Sequence, residues 1–210
     1  MKTPIIFIVA GALLALPACD KGEKNKVDIL PVHADLAVDA ITTDPAVYLA
    51  RSAMDISAAD DVVVLDVMLR DSTAPAFDAF TLEVQFDPGL AQVSRIIWNA
   101  TPLGDCTGSG VCDPVCANNV SPSDLSTVPA NTSGDLLIGV AHKPAPCTAT
   151  SNPGPVPLLS LWFIATTVGT SQVKLIDGAG TGDCEILGGS PLASLGFPCL
   201  SGNATIIAAR

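Results

Sequence analysis

Residues 80–86 alternate strictly, with Phe80, Leu82, Val84 and Phe86 on one parity and Thr81, Glu83 and Gln85 on the other. A period of two with this contrast predicts a half-buried β-strand within Phe77–Phe86. Asp87-Pro88-Gly89 is a turn signal that ends it. The run Asp61–Arg70 is apolar on both parities, as expected of a central strand covered on both faces. Further strand patterns fall at Val47–Ile56, Leu90–Trp98, Asp135–Lys143, Leu158–Thr166, Gln172–Ile176 and Asn203–Ala208. No stretch carries a helical period of useful length, and no internal repeat is present. Eight or nine short strands over residues 46–210 predict an all-β domain. The expected architecture is a two-sheet β-sandwich of Greek-key or jelly-roll connectivity.

The first 45 residues follow a different pattern. Lys2 precedes an apolar stretch from Pro4 to Leu16, too short to cross a bilayer. Leu16-Pro17-Ala18-Cys19 then resembles the lipobox of bacterial lipoproteins, apart from the proline. In such proteins the signal peptide is cut before the cysteine and the sulfur is lipidated. Residues 1–18 are therefore read as a lipoprotein signal peptide, Cys19 as the lipid-bearing residue and residues 19–45 as a tether. The charged run Lys21–Lys26 and the prolines at 31 and 45 fit a solvated linker. This reading expects an exported protein, held by its lipid on the periplasmic or cell-surface side of the envelope.

Charge and cysteine count sharpen that picture. Ten Lys and Arg oppose 21 Asp and Glu in the full chain, a net charge of −11. Loss of Lys2 with the signal leaves nine against 21, or −12. Such a chain repels nucleic acid and anionic head groups, so membrane attachment falls to the lipid. Seven cysteines are present. With Cys19 lipidated, the six others (Cys106, Cys112, Cys116, Cys147, Cys184 and Cys199) form an even set suited to disulfides outside the cytosol. Cys184 and Cys199 share one Gly/Pro-rich stretch and are expected to pair. The other four would then pair among themselves, joining the loop at 103–118 to that at 144–157. A zinc site at Cys106, Cys112 and Cys116 is the rival reading. It is weakened by the spacing and by the lack of a nearby histidine.

The order of strands has a familial look. Asp61–Arg70 is followed by Ala79-Phe-Thr-Leu-Glu-Val-Gln-Phe-Asp-Pro-Gly-Leu90, Gly134-Asp-Leu-Leu-Ile-Gly-Val140, Leu159-Ser-Leu-Trp-Phe-Ile-Ala165 and Gly169-Thr-Ser-Gln-Val-Lys-Leu175. This resembles the cohesin family and its carbohydrate-binding-module relatives over residues 46–208. Phe86-Asp87-Pro88 with Leu90 is the most specific element. The resemblance implies a nine-stranded jelly roll with a binding role and no catalysis. In cohesins one sheet face receives a dockerin module of another protein, often within polysaccharide-degrading assemblies. Phe86 would be a core residue, and Asp87-Pro88 would set a turn. The long loop at 99–133 and the six cysteines depart from the family pattern.

Catalytic chemistry is sparse. His33 lies in the expected tether and His142 at a strand end, far apart in sequence. No Gly-x-Ser-x-Gly elbow occurs. Asp66 and Glu83 sit mid-strand with nothing to pair them as the two carboxylates of a glycosidase. Asp177–Asp183 is glycine-rich but lacks the lysine and helix of a phosphate loop, and its two carboxylates are few for calcium. No enzyme, cofactor or metal is expected. Sequons at Asn99, Asn119, Asn131 and Asn203 read as chance. Of nine aromatic residues, Trp98 and Trp162 are the candidates for an outward ring that could stack on a sugar. The leading expectation is a lipid-anchored cohesin-like module holding a dockerin-type partner. A carbohydrate-binding module of the same fold and a passive envelope lipoprotein are the alternatives.

Overall fold

The computed structural model describes residues 32–54, 61–73, 76–98, 115–118, 129–141, 150–151, 154–177 and 184–210. Two antiparallel sheets pack face to face. The smaller has four strands in the order β2 (Ala46–Arg51), β3 (Val62–Arg70), β10 (Val156–Ala165) and β6 (Ala91–Trp98). The larger has eight and is organised around β5 (Ala79–Gln85). On one side of β5 run β8 (Asp135–Ala141) and then β7 (Val115–Asn118). On the other side two strands share its length. β11 (Gly169–Leu175) pairs with its end and continues to β14 (Ala204–Ala209) and β1 (His33–Val38). β12 (Glu185–Gly188) pairs with its beginning and continues to β13 (Ala193–Ser194). A small separate pair joins β4 (Ala76–Phe77) to β9 (Thr150–Ser151).

The core lies between the sheets and follows from the period-two pattern. Phe80, Leu82 and Val84 of β5 meet Val63, Leu65 and Val67 of β3 and Leu161 and Phe163 of β10 in one buried cluster. Phe86 and Phe163 stack edge to face with centroids 5.2 Å apart, a geometry that adds to their burial. On its outer parity β3 carries Val62, Val64 and Met68 beside Asp66 and Arg70, and Val64 is wholly buried there. The dense run at 61–70 is therefore a central strand, as expected.

The sandwich is tied at both edges of the smaller sheet. At β2, Val47 bonds backbone-to-backbone with Pro198 and Leu200. The disulfide Cys184–Cys199 joins that segment to the start of β12. The expected pairing is thus present, and such a bridge persists in oxidising compartments outside the cytosol. At β6, the buried Asn131 amide accepts from Val93 N at 2.7 Å and donates to Val93 O at 3.1 Å. Asn131 belongs to the short helix α1 (Pro129–Ser133), which leads directly into β8. One side chain thereby completes the edge of β6 and links the two sheets. The turn after α1 needs Gly134, whose φ is +81° and whose Cβ would lie 2.5 Å from Phe86 O.

Several expectations change. Among the described residues the two sheets hold twelve strands rather than nine. The segment expected as tether already carries β1 from His33, because Ala34 and Leu36 alternate into the core against β14. Residues 99–133, expected to form one long loop, contain β7 and α1. Phe77 is not continuous with β5; it pairs with β9 across a break at Asp78. The signal segment, Cys19, Cys106, Cys112, Cys147 and His142 lie outside the described residues.

Candidate partner-binding face

On the outer side of the larger sheet, β8 and β11 carry exposed side chains. Across β5 and β8 the directly opposed outward pairs are Thr81 with Gly139, Glu83 with Leu137, and Gln85 with Asp135. Leu137 is 48% exposed although its neighbours Leu136 and Ile138 are buried. Nothing lies within 4 Å of the position a Cβ would take on Gly139. With Ala141 further along β8, the result is a low apolar stripe beside the polar residues of β5. An exposed leucine with small neighbours is a surface that a partner can cover closely, because no long side chain must first be displaced.

β11 extends this face with Thr170, Gln172 and Lys174, all exposed. Only Lys174 and Leu175 pair with β5, whereas residues 169–173 pair with β14. Meanwhile β5 ends, and the chain turns away at Asp87-Pro88 toward the smaller sheet. The divergence opens a shallow polar cleft of about 370 Å³, walled by Gln85, Thr170, Gln172 and Lys174. Ser171 lies beneath it, with its hydroxyl accepting from Asp87 N at 2.9 Å. The Asp87 carboxylate is occupied in its own turn, accepting from Gly89 N at 2.8 Å. Phe86 is buried and Asp87-Pro88 shapes a turn, the structural roles expected of them.

The outer side of the smaller sheet is built differently. The Arg95 guanidinium lies 5.6 Å from the Trp162 ring centroid, and that of Arg70 lies 5.3 Å from the Tyr48 centroid. Trp162 does point outward, opposite Leu161 and Phe163, but Arg95 lies over its ring. Its Nε1 is buried and has no acceptor among the described residues. Trp98 faces the other way and packs against the core. The reason is a bulge in β6: Trp162 pairs with Arg95 but Phe163 pairs with Val93, so Ser94 is an extra residue. One inserted residue reverses the parity of everything after it. Arg95 and Ile97 turn outward, and Ile96 and Trp98 turn in.

Other residues singled out in the sequence are dispersed. Asp66 accepts from Ser160 Oγ at 2.6 Å on the outer side of the smaller sheet. Glu83 accepts from Gln85 Nε2 at 3.2 Å on the outer side of the larger one. The whole sandwich separates these two carboxylates. His33 is exposed at the start of β1. Cys116 on β7 is disulfide-bonded, to a partner outside the described residues. Of the glycine-rich segment only Asp177 is described, and it is exposed. Asn131 and Asn203 are each 7% exposed and serve the backbone, Asn203 by donating to Leu49 O. Among the described residues no three His, Cys, Asp or Glu side chains gather in a metal-binding arrangement. Leu137 and Gly139 belong to no binding motif in the sequence. The available signal was their shared parity with Asp135 in the strand Asp135–Lys143.

This architecture is that of a cohesin-like β-sandwich. The chain is similar in fold to the second type II cohesin module of the adaptor scaffoldin ScaA from Acetivibrio cellulolyticus, with a TM-score of 0.52 and 10% identity. That match covers 78% of this chain and 91% of the module. The sixth cohesin of scaffoldin B from the same organism, solved in complex with a Cel5 dockerin mutant, gives a TM-score of 0.50 and 16% identity. It covers 76% of this chain and 96% of that one. A type II cohesin domain from the cellulosome of that organism gives 0.50 and 11%, over 77% and 95% of the two chains. No protein-family model and no curated protein sequence matches the chain.

Proposed function

We propose that this chain is a non-catalytic cohesin-like module that holds a dockerin-type protein at the bacterial cell envelope, anchored by lipid on Cys19. The binding surface in this reading is the outer side of β7, β8, β5 and β11. The observation that carries it is the stripe of Leu137, Gly139 and Ala141 beside the polar row of β5. A solved neighbour of the same fold is a cohesin bound to a dockerin. If the partner is an enzyme acting on polysaccharide, the module contributes retention and proximity and no chemistry of its own. The carbohydrate-binding alternative draws no support from its two tryptophans, since Trp98 packs inward and the Trp162 ring carries Arg95.

The test is retention of dockerin-bearing proteins from the same organism on the immobilised domain, with Gly139→Glu as the probe. A Cβ at Gly139 meets nothing within 4 Å, so the variant is expected to fold, which circular dichroism checks. A carboxylate at the centre of the face is expected to weaken binding about ten-fold or more, since about 1.4 kcal/mol is lost for each factor of ten. Retention of no dockerin-bearing protein, or equal retention by Gly139→Glu, removes this reading. Affinity electrophoresis in a panel of polysaccharides separates the carbohydrate-binding alternative.

A further inference from the structure

We propose that the end of the sandwich bearing Met54 and Val168 rests against the lipid bilayer, so that the strands stand upright and the partner face is presented side-on. This rests on the lipid anchor at Cys19. Strand register places the elements. His33 pairs with Ala209 and Gly169 with Ala208, so β1 and β11 both start at this end. Thr166 N bonds Leu90 O at 2.7 Å, which brings the β10–β11 turn beside the turn leaving β5. Arg51 pairs with Leu65 and Ser52 N bonds Val64 O, so residues 52–54 leave β2 at the same end. Val168 at 52% and Met54 at 44% are therefore exposed apolar side chains on the end where the N-terminal segment arrives.

Length argues for the orientation. Thirteen residues, 20–32, separate Cys19 from β1. Whatever conformation they take, they span at most about 45 Å. β10 has ten residues, which sets the length of the sandwich at roughly 33 Å. With the opposite end on the bilayer, the tether would have to climb about three quarters of its full reach. With the Met54 and Val168 end down it climbs nothing, and both apolar side chains meet the interface. Leu192, exposed on the β12–β13 turn at the far end, is held away from the membrane. The net negative charge of the chain gives no electrostatic pull toward anionic lipid, so the tether and these side chains set the contact.

The mature chain offers a native probe, because after signal removal its methionines are Met54 and Met68 alone. Met68 lies six residues up β3 from Val62, about 20 Å further from the proposed contact. The lipidated protein, labelled with ¹³C-methyl methionine, is placed in phosphatidylcholine nanodiscs containing a gadolinium-chelating lipid. Paramagnetic broadening of the Met54 methyl is expected to exceed that of Met68 at least three-fold. Val168→Asp is expected to reduce it without releasing the protein. Equal or reversed broadening overturns the orientation. A chain that does not float with vesicles, and whose mass shows no lipid, overturns the anchor and the orientation with it.

Discussion

Replacing Asn131 by alanine tests whether one amide closes the edge of the sandwich. In the native domain this side chain satisfies both backbone groups of Val93, and both residues are buried. Truncation removes two hydrogen bonds and leaves an N–H and a C=O of β6 without partners. Each orphaned buried group costs about 1–3 kcal/mol. Partial entry of water into the gap brings the sum to about 2–4 kcal/mol, a large share of the roughly 10 kcal/mol typical of a domain. For this size the melting temperature should fall by about 5–12 °C. Urea unfolding should show a lower midpoint at an unchanged slope. Asn131→Asp adds a check on direction. Its carboxylate would still accept from Val93 N but would face Val93 O without a donor. Burial beside a carbonyl would raise its folded pKa above the unfolded value of about 3.9. Relative to the native chain, this variant should be least destabilised below that value and should lose stability as pH rises through the folded pKa. A loss under about 0.5 kcal/mol for Asn131→Ala, or a pH-independent penalty for Asn131→Asp, would refute the reasoning.

Joint replacement of Cys184 and Cys199 by alanine opens a loop of 15 residues and should cost about 3 kcal/mol in chemical denaturation. A cost under about 1 kcal/mol would mean that the backbone bonds between Val47 and residues 198–200 suffice to hold that edge. Trp162→Phe removes a buried N–H that has no acceptor among the described residues. Relief of about 1–3 kcal/mol should offset the lost ring contact, leaving stability within about 0.5 kcal/mol of the native value. A loss above about 2 kcal/mol would show that the indole N–H is bonded in solution.

The polar row of the candidate face was legible in the sequence, because Thr81, Glu83 and Gln85 alternate with large apolar residues. The apolar stripe beside it was not. In Asp135–Val140 both parities carry apolar residues, and a glycine has no side chain to mark a face. The cleft was hidden for another reason. It exists because β5 pairs only with Lys174 and Leu175 of β11 before the chain turns away, and strand pairing is a property of distant segments. Trp98 shows the same limit at one position: a single bulge at Ser94 reversed its direction, and nothing local announced it.

By itself the sequence determined the class of fold, because burial of one strand face writes a period of two directly into the order of residues. It also determined the central place of β3 and the turn at Asp87-Pro88, and it made Cys184 and Cys199 the expected pair that the structure then joins. Only the tertiary structure decided which strands adjoin, where β1 docks, and that Asn131 and Asn203 serve the backbone. Those outcomes depend on contacts between segments far apart in the chain, such as Asn131 with Val93 and Asn203 with Leu49, whose energies do not appear in any local pattern.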